Sequence, residues 1–130
     1  MAEPVGPRAG AVPIWSRRHW NETGIRLTGA RTCRLTATGI WYDAWIRTGP
    51  DGYQSGNCLQ RWSERLRRAP SEDWFVLMGA IDCDPSTIFR IGTCAVVTPP
   101  RDGQLTCFAN DVPGMYWNNR GAVHLIVSDY

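Results

Sequence analysis

Between Asn110 and Asn119 the chain reads Asn110-Asp111-Val112-Pro113-Gly114-Met115-Tyr116-Trp117-Asn118-Asn119, which gathers several oxygen donors on one short stretch. The carboxylate of Asp111 is followed seven and eight residues later by two adjacent amides, with Pro113-Gly114 between them. That pair suits the centre of a type II turn, Pro presetting its own φ and Gly supplying the positive φ at the next position. A hard cation such as Ca²⁺ takes about six to eight oxygens from carboxylates, amides, backbone carbonyls and water. Asp111, Asn118 and Asn119 can supply the side-chain oxygens, and a carbonyl exposed after the turn can add another. The same residues also form a natural pair of consecutive turns, with Asp and Asn bonding their own backbone. Spacing alone favours that plainer interpretation.

The elements that must position this loop are short and β-prone. Gly24–Thr28 and Thr32–Thr38 are expected strands joined at Gly29-Ala30-Arg31. In the second, Cys33, Leu35 and Ala37 alternate with polar residues at the period of a half-buried strand. Ile40–Ile46 is aromatic and β-prone, and Gly49-Pro50-Asp51-Gly52 breaks it. Trp74–Ile81, Thr87–Ile91, Cys94–Val97, Gln104–Phe108 and Gly121–Val127 complete the set, so the loop lies just before the last strand. Residues 58–68 differ: Leu59, Trp62 and Leu66 recur at helical spacing, with Arg61, Glu64, Arg65 and Arg68 on the other faces. The expected architecture is all-β, a sandwich with one short inserted helix near 58–68, preceded by a flexible arm over 1–13 and forming a single domain over 14–130.

Composition narrows the classes of function. A chain of 130 residues can bury an adequate core without staples. Its net charge of +2 gives no argument for a nucleic-acid partner. All fourteen basic residues are Arg. Five cysteines with no metal-binding spacing leave at least one thiol unpaired, and Cys33 and Cys107 fall on strand-like runs where reduced thiols behave as small apolar residues. No stretch has the length and apolarity of a signal peptide or a membrane span. The expectation is a protein that is cytoplasmic or released without a signal peptide, and that does not insert into membranes. Seven tryptophans exceed what a core of this size needs, and flat aromatic surfaces stack well on sugar rings. His19 and His124 have no nucleophile at a matching spacing, so no catalytic triad is legible. Nothing in the pattern points to a catalytic pair of carboxylates.

The stretch from Asn110 to Gly121 closely resembles the N-D-V-P-G-x-Y-x-N-N-x-G signature of the PA-I type galactophilic lectins (LecA-like). Thr36-Ala37-Thr38-Gly39 and Gly49-Pro50-Asp51-Gly52 are similar, more weakly, to that family's A-x-G strand end and G-P-x-G turn. The resemblance implies a jelly-roll-like β-sandwich whose bound Ca²⁺ coordinates two hydroxyls of galactose. Asp111, Asn118 and Asn119 would then be side-chain ligands and Met115 a backbone-carbonyl ligand. Counting from Gly39 places the remaining carbonyl ligand at Asp43, with Tyr42 or Ala44 one residue away. Asp43 also carries a carboxylate where the family has an aromatic, which offers ligation through the side chain instead. Sugar contacts would fall to Asp43, Gln54, Asn57, Asp111, Val112, Trp117 and Asn118. The family's His and Gln after the G-P-x-G turn have no clear counterpart, since Tyr53-Gln54-Ser55-Gly56-Asn57 contains no His. Trp117, where the lectin has Gly, is placed to stack on a sugar or to block it.

These observations imply a non-enzymatic, Ca²⁺-dependent carbohydrate-binding protein for galactose-like glycans, acting as a homo-oligomer because weak single sites need avidity. The alternative is a non-catalytic sandwich module that binds a protein or an anionic surface through Arg61, Arg65, Arg67 and Arg68, the loop serving only as a turn.

Overall fold

A computed structural model of the chain describes residues 10–54, 61 and 63–130. Among the described residues ten strands form two antiparallel sheets. They are β1 (Val12–Trp15), β2 (Asn21–Leu27), β3 (Cys33–Asp43), β4 (Ile46–Thr48), β5 (Asp51–Tyr53), β6 (Trp74–Ile81), β7 (Phe89–Arg90), β8 (Cys94–Val97), β9 (Gly103–Ala109) and β10 (Asn119–Asp129). One sheet runs β1-β10-β3, and the outer edge of β3 is shared by β8 beside Cys33–Thr36 and β4 beside Trp41–Asp43. The other runs β2-β9-β6, and the outer edge of β6 is shared by β5 near its start and β7 further on. The expected all-β sandwich is therefore the fold.

Alternation explains the core. On β3, Leu35, Ala37 and Trp41 are buried; on β9, Leu105, Cys107 and Ala109; on β10, Val123 and Leu125. All occupy odd positions, so a period of two sends each stripe to one face. Together with Ile14, Phe75, Leu77 and Ile81 they make a single cluster between the sheets, with Trp41 edge-on to Phe75 at 5.7 Å between ring centres. A smaller cluster of Val76, Met78, Phe108 and Ala69 lies on the outer face of β6 and β9. Cys33 and Cys107 are buried free thiols, as the alternation implies. Burial pushes the Cys107 thiol far above its ordinary range.

Several boundaries differ from expectation. The flexible arm drawn over 1–13 gives way at Val12, where β1 pairs with β10 from Val12↔Leu125 to Trp15↔Ala122. The run has a Pro and little alternation, which hides it in the sequence, but Pro13 is tolerated on an edge strand. Residues 1–9 lie outside the described residues. The Ile40–Ile46 strand is instead the end of β3 and the start of β4, folded at Ala44-Trp45 with Ala44 at φ 55°. Thr87–Ile91 shortens to β7 because Pro85–Thr87 is a 3-10 turn capped by the Asp84 carboxylate accepting from Ser86 N at 2.9 Å.

The inserted helix falls partly on residues outside the described set, Leu59 and Trp62 among them. Arg61 and Ser63 are helical, and the chain then makes a 3-10 turn over Glu64–Leu66. Its faces are not those the amphipathic pattern predicts. Leu66 is 62% exposed, whereas Arg67 is 8% exposed with its guanidinium 4.9 Å above the Trp74 ring centre. Arg68 packs over Phe108 at 3.5 Å and over Trp20 at 4.4 Å, and donates to the His19 carbonyl. The turn ends at Leu66 and Arg67 is already extended, so the helical schedule stops there, and arginine stems cover the aromatic surface of β6 and β9.

Candidate functional site

The core stripes run past the hydrophobic interior at one end of the sandwich, and there they turn polar. Asp43 ends the odd-numbered stripe of β3, Asn119 begins that of β10, and Asp111 follows Ala109 by one further step beyond β9. Asp43 and Asn119 are direct register partners. Asp111 and Asn119 are 4% and 1% exposed. Thus residue 43, far in sequence from 111 and 119, meets them because three strands place the same parity at the same end.

The loop is built to deliver them. Pro113-Gly114 makes the expected turn, Met115 N donating to Val112 O at 3.0 Å with Gly114 at φ 90°. Gly121 lies at φ 86°, and a Cβ there would approach Trp41 Cα to 3.2 Å. Glycine therefore lets the loop rejoin β10 tightly against β3. Two motif residues prove to be anchors rather than donors to a ligand. Tyr116 donates its hydroxyl to Ala109 O at 2.6 Å and accepts from Arg68. Asn110, fully buried, accepts from Ala69 N at 2.9 Å and donates to Ala69 O, Glu72 O and Asp73 O. It ties residues 69–73 to the loop. Asn110→Ala is expected to cost about 3–5 kcal/mol, because several buried backbone groups lose their partner together. Denaturant unfolding measures this directly.

Of the polar groups left over, Asp43, Asp111 and Asn118 line one pocket. Asp111 Oδ1 accepts from Val112 N at 2.7 Å and Oδ2 from Asn119 Nδ2 at 3.0 Å. Asn119 Nδ2 also donates to Ser16 O at 3.1 Å. Both amide protons of Asn119 are spent, so the amide orientation is set: flipping it would forfeit both acceptors. Its Oδ1 is buried with no hydrogen-bond partner among the described residues, and so is Oδ1 of Asn118. Two orphaned buried acceptors in one loop are costly, at about 1–3 kcal/mol each. Burial pushes the Asp111 carboxyl up to about 6, the bonds from Asn119 and Val112 opposing and the nearby Asp43 charge adding to the rise. Asp43 is likewise raised by burial, against a 2.5 Å hydrogen bond from the Tyr53 hydroxyl.

The pocket holds about 340 Å³ and is lined by Asp43, Asp111, Val112, Met115 and Asn118, with Ser63, Leu66 and Trp74 as its opposite wall. That is the small end of the range for ligand sites, about 300–1,000 Å³. The segment after Arg61 thus forms a wall of the site. Asn119 lies beneath the pocket, bonded to Asp111. Of the other expected sugar contacts, Gln54 lines a separate cavity with Arg61, Glu64, Arg67 and Asp73. Trp117 is 66% exposed on the loop surface. Asn57 lies outside the described residues. Tyr53, Trp74 and Leu66 are not legible as site residues in the sequence; for Tyr53 the one available signal is that it directly follows the Gly49–Gly52 turn.

No family model matches the sequence, and no curated protein matches it significantly. Among solved structures the chain is similar to the N-terminal domain of EclA, described as a PllA-like lectin, with a TM-score of 0.66 and 20% identity over 95% of this chain and 100% of that one. The likeness spans the sandwich from end to end, and the chain has the fold of that lectin domain.

Proposed function

We propose that the chain is a Ca²⁺-dependent carbohydrate-binding protein, with the pocket of Asp43, Asp111, Met115 and Asn118 as its site and Asn119 as the buried ligand beneath. The observation that carries this reading is the pair of buried, partnerless amide oxygens on Asn118 and Asn119 in the loop of the buried Asp111 carboxylate, with the half-buried Asp43 carboxylate lining the same pocket as Asp111 and Asn118. Carboxylates gathered with orphaned amide oxygens ask for a cation, and oxygen ligands alone select a hard one. Asp111, Asn118 and Asn119 would bind through their side chains and Met115 through its carbonyl, with Asp43 closing the set. When bound, Ca²⁺ would supply open coordination positions for two vicinal hydroxyls of galactose or a related sugar. The chain's own residues do the orienting. Asp111 receives Val112 N and Asn119 Nδ2, leaving its remaining lone pairs for the pocket, and Leu66 and Val112 offer apolar surface to the sugar's C–H face.

The lectin fold of the similar EclA domain supports binding rather than chemistry, and weak monosaccharide sites make a homo-oligomer the useful form. The interaction-module alternative loses ground because two of its four arginines are engaged within the fold, Arg67 on Trp74 and Arg68 on Phe108.

The test is thermal unfolding in chelator, in millimolar Ca²⁺, and in Ca²⁺ with excess galactose. A ligand that binds only the native state at a hundredfold excess over its Kd adds about 2.7 kcal/mol. Successive rises are expected. A rise with Ca²⁺ alone would redirect the search to other glycans, and no response to Ca²⁺ would sink the proposal.

A further inference from the structure

We propose that Asp43 enters the metal's shell through its side-chain carboxylate, and that Tyr53 is the positioning residue that aims it. The inference rests on the reading of the pocket as a Ca²⁺ site and departs from the carbonyl role that the resemblance implies for this position. A carbonyl ligand needs no particular side chain. Here the position holds an aspartate that lines the pocket. Its charge falls near enough to Asp111 to oppose that residue's ionisation.

Burying a second carboxylate beside the first is unfavourable unless a positive charge or several hydrogen bonds compensate it. Among the described residues the carboxylate of Asp43 receives a bond from Tyr53 Oη to Oδ2 at 2.5 Å. No arginine pairs with it among the described residues. One hydroxyl does not balance the cost, whereas a divalent cation shared with Asp111 makes the site neutral. The geometry of the donor also fits. Tyr53 ends β5, held against β6 by the pairing Tyr53↔Trp74, while Asp43 ends β3 in the opposite sheet. The hydroxyl therefore crosses the sandwich and fixes one carboxylate oxygen, leaving Oδ1 to the pocket. This is how outer groups orient metal ligands in general, and losing such a partner typically weakens metal binding about 10–100-fold.

The experiment is Ca²⁺ affinity of the full chain without sugar, by competition with a chromophoric chelator, for the parent, Tyr53→Phe, Asp43→Asn and the double variant. Tyr53→Phe is expected to weaken Ca²⁺ binding about 10-fold or more, with its unfolding midpoint in chelator near that of the parent. Asp43→Asn, which keeps the backbone carbonyl, is expected to lose at least as much. The double variant should bind no more weakly than Asp43→Asn alone, because Tyr53 has nothing left to aim. Parent-like affinity in Asp43→Asn would overturn the carboxylate role even if Tyr53→Phe failed to fold. Parent-like affinity in Tyr53→Phe, or losses that simply add, would overturn the positioning role. A parent chain that binds no Ca²⁺ would instead defeat the site reading itself.

Discussion

Asp111→Ala should abolish the response to Ca²⁺ and to galactose while leaving the chelated protein nearly as stable as the parent. Two opposing effects give the second half of that result. Removing the carboxylate takes an acceptor from Val112 N and from Asn119 Nδ2, and Asn119 keeps its bond to Ser16 O. The cost is about 1–3 kcal/mol. Against this, the parent carries a buried charge at neutral pH whose carboxyl is raised to about 6 from 3.8. Raising a carboxyl's pKa by one disfavours its charged form by about 1.4 kcal/mol, so relieving this burial returns about 3 kcal/mol. The two effects are of similar size, and a net change within about 2 kcal/mol follows. Metal binding has no such compensation, since Asp111 is one of only two carboxylates lining the pocket among the described residues. Calorimetric titration with Ca²⁺, together with unfolding in chelator, reads both halves. If the loop is only a pair of turns, the parent will show no Ca²⁺ response to lose.

The site is partly legible in the sequence, for a definable reason. Asp111, Asn118 and Asn119 sit on one loop, and their relation is a matter of spacing and a Pro-Gly turn. Asp43 is different. Its nearness to Asn119 depends on the β3–β10 register, which no local pattern encodes, and only the family likeness directs attention to it. Tyr53 is invisible in the sequence because its contact crosses between sheets. The strands Trp74–Ile81 and Cys94–Val97 are legible to the residue, since apolar runs bounded by turn residues leave little freedom. β1 escapes because an edge strand pairs on one side and need not alternate. The burial of Arg67 and exposure of Leu66 reverse a helical-wheel argument, because the chain leaves helical geometry at Arg67 and Trp74 offers arginine a flat partner. Asn110 and Tyr116 carry a further lesson: part of such a motif can be scaffold. Their side chains fasten the loop to β9 and to residues 69–73, so a motif match reports loop geometry before it reports ligands.

Acidification should move the Ca²⁺-loaded and chelated proteins in opposite directions relative to each other. The carboxyl of Asp111 has a folded pKa of about 6, above its ordinary 3.8, so without metal it favours the folded state when protonated. That contribution is fully present below about pH 4 and is lost as the pH rises through about 6. Between pH 7.5 and pH 5 it returns about 1.4 kcal/mol to the chelated protein, and Asp43, raised for the same reason, acts in the same sense. Metal ligands must be deprotonated, so the proton taken up at Asp111 competes with Ca²⁺ and weakens its apparent affinity about tenfold over that range. Other groups titrate as well: His19, lowered by burial and by Arg68, charges more readily in the unfolded chain and pulls stability down on acidification. It does so with and without metal, so it cancels in the difference between the two unfolding midpoints. That difference is therefore the quantity to measure, and it should narrow steadily from pH 7.5 to 5. In Asp111→Asn any residual difference should be nearly flat with pH, because the group that carries most of the competition is gone. A gap that stays constant in the parent would mean that Ca²⁺ is held elsewhere than at these carboxylates.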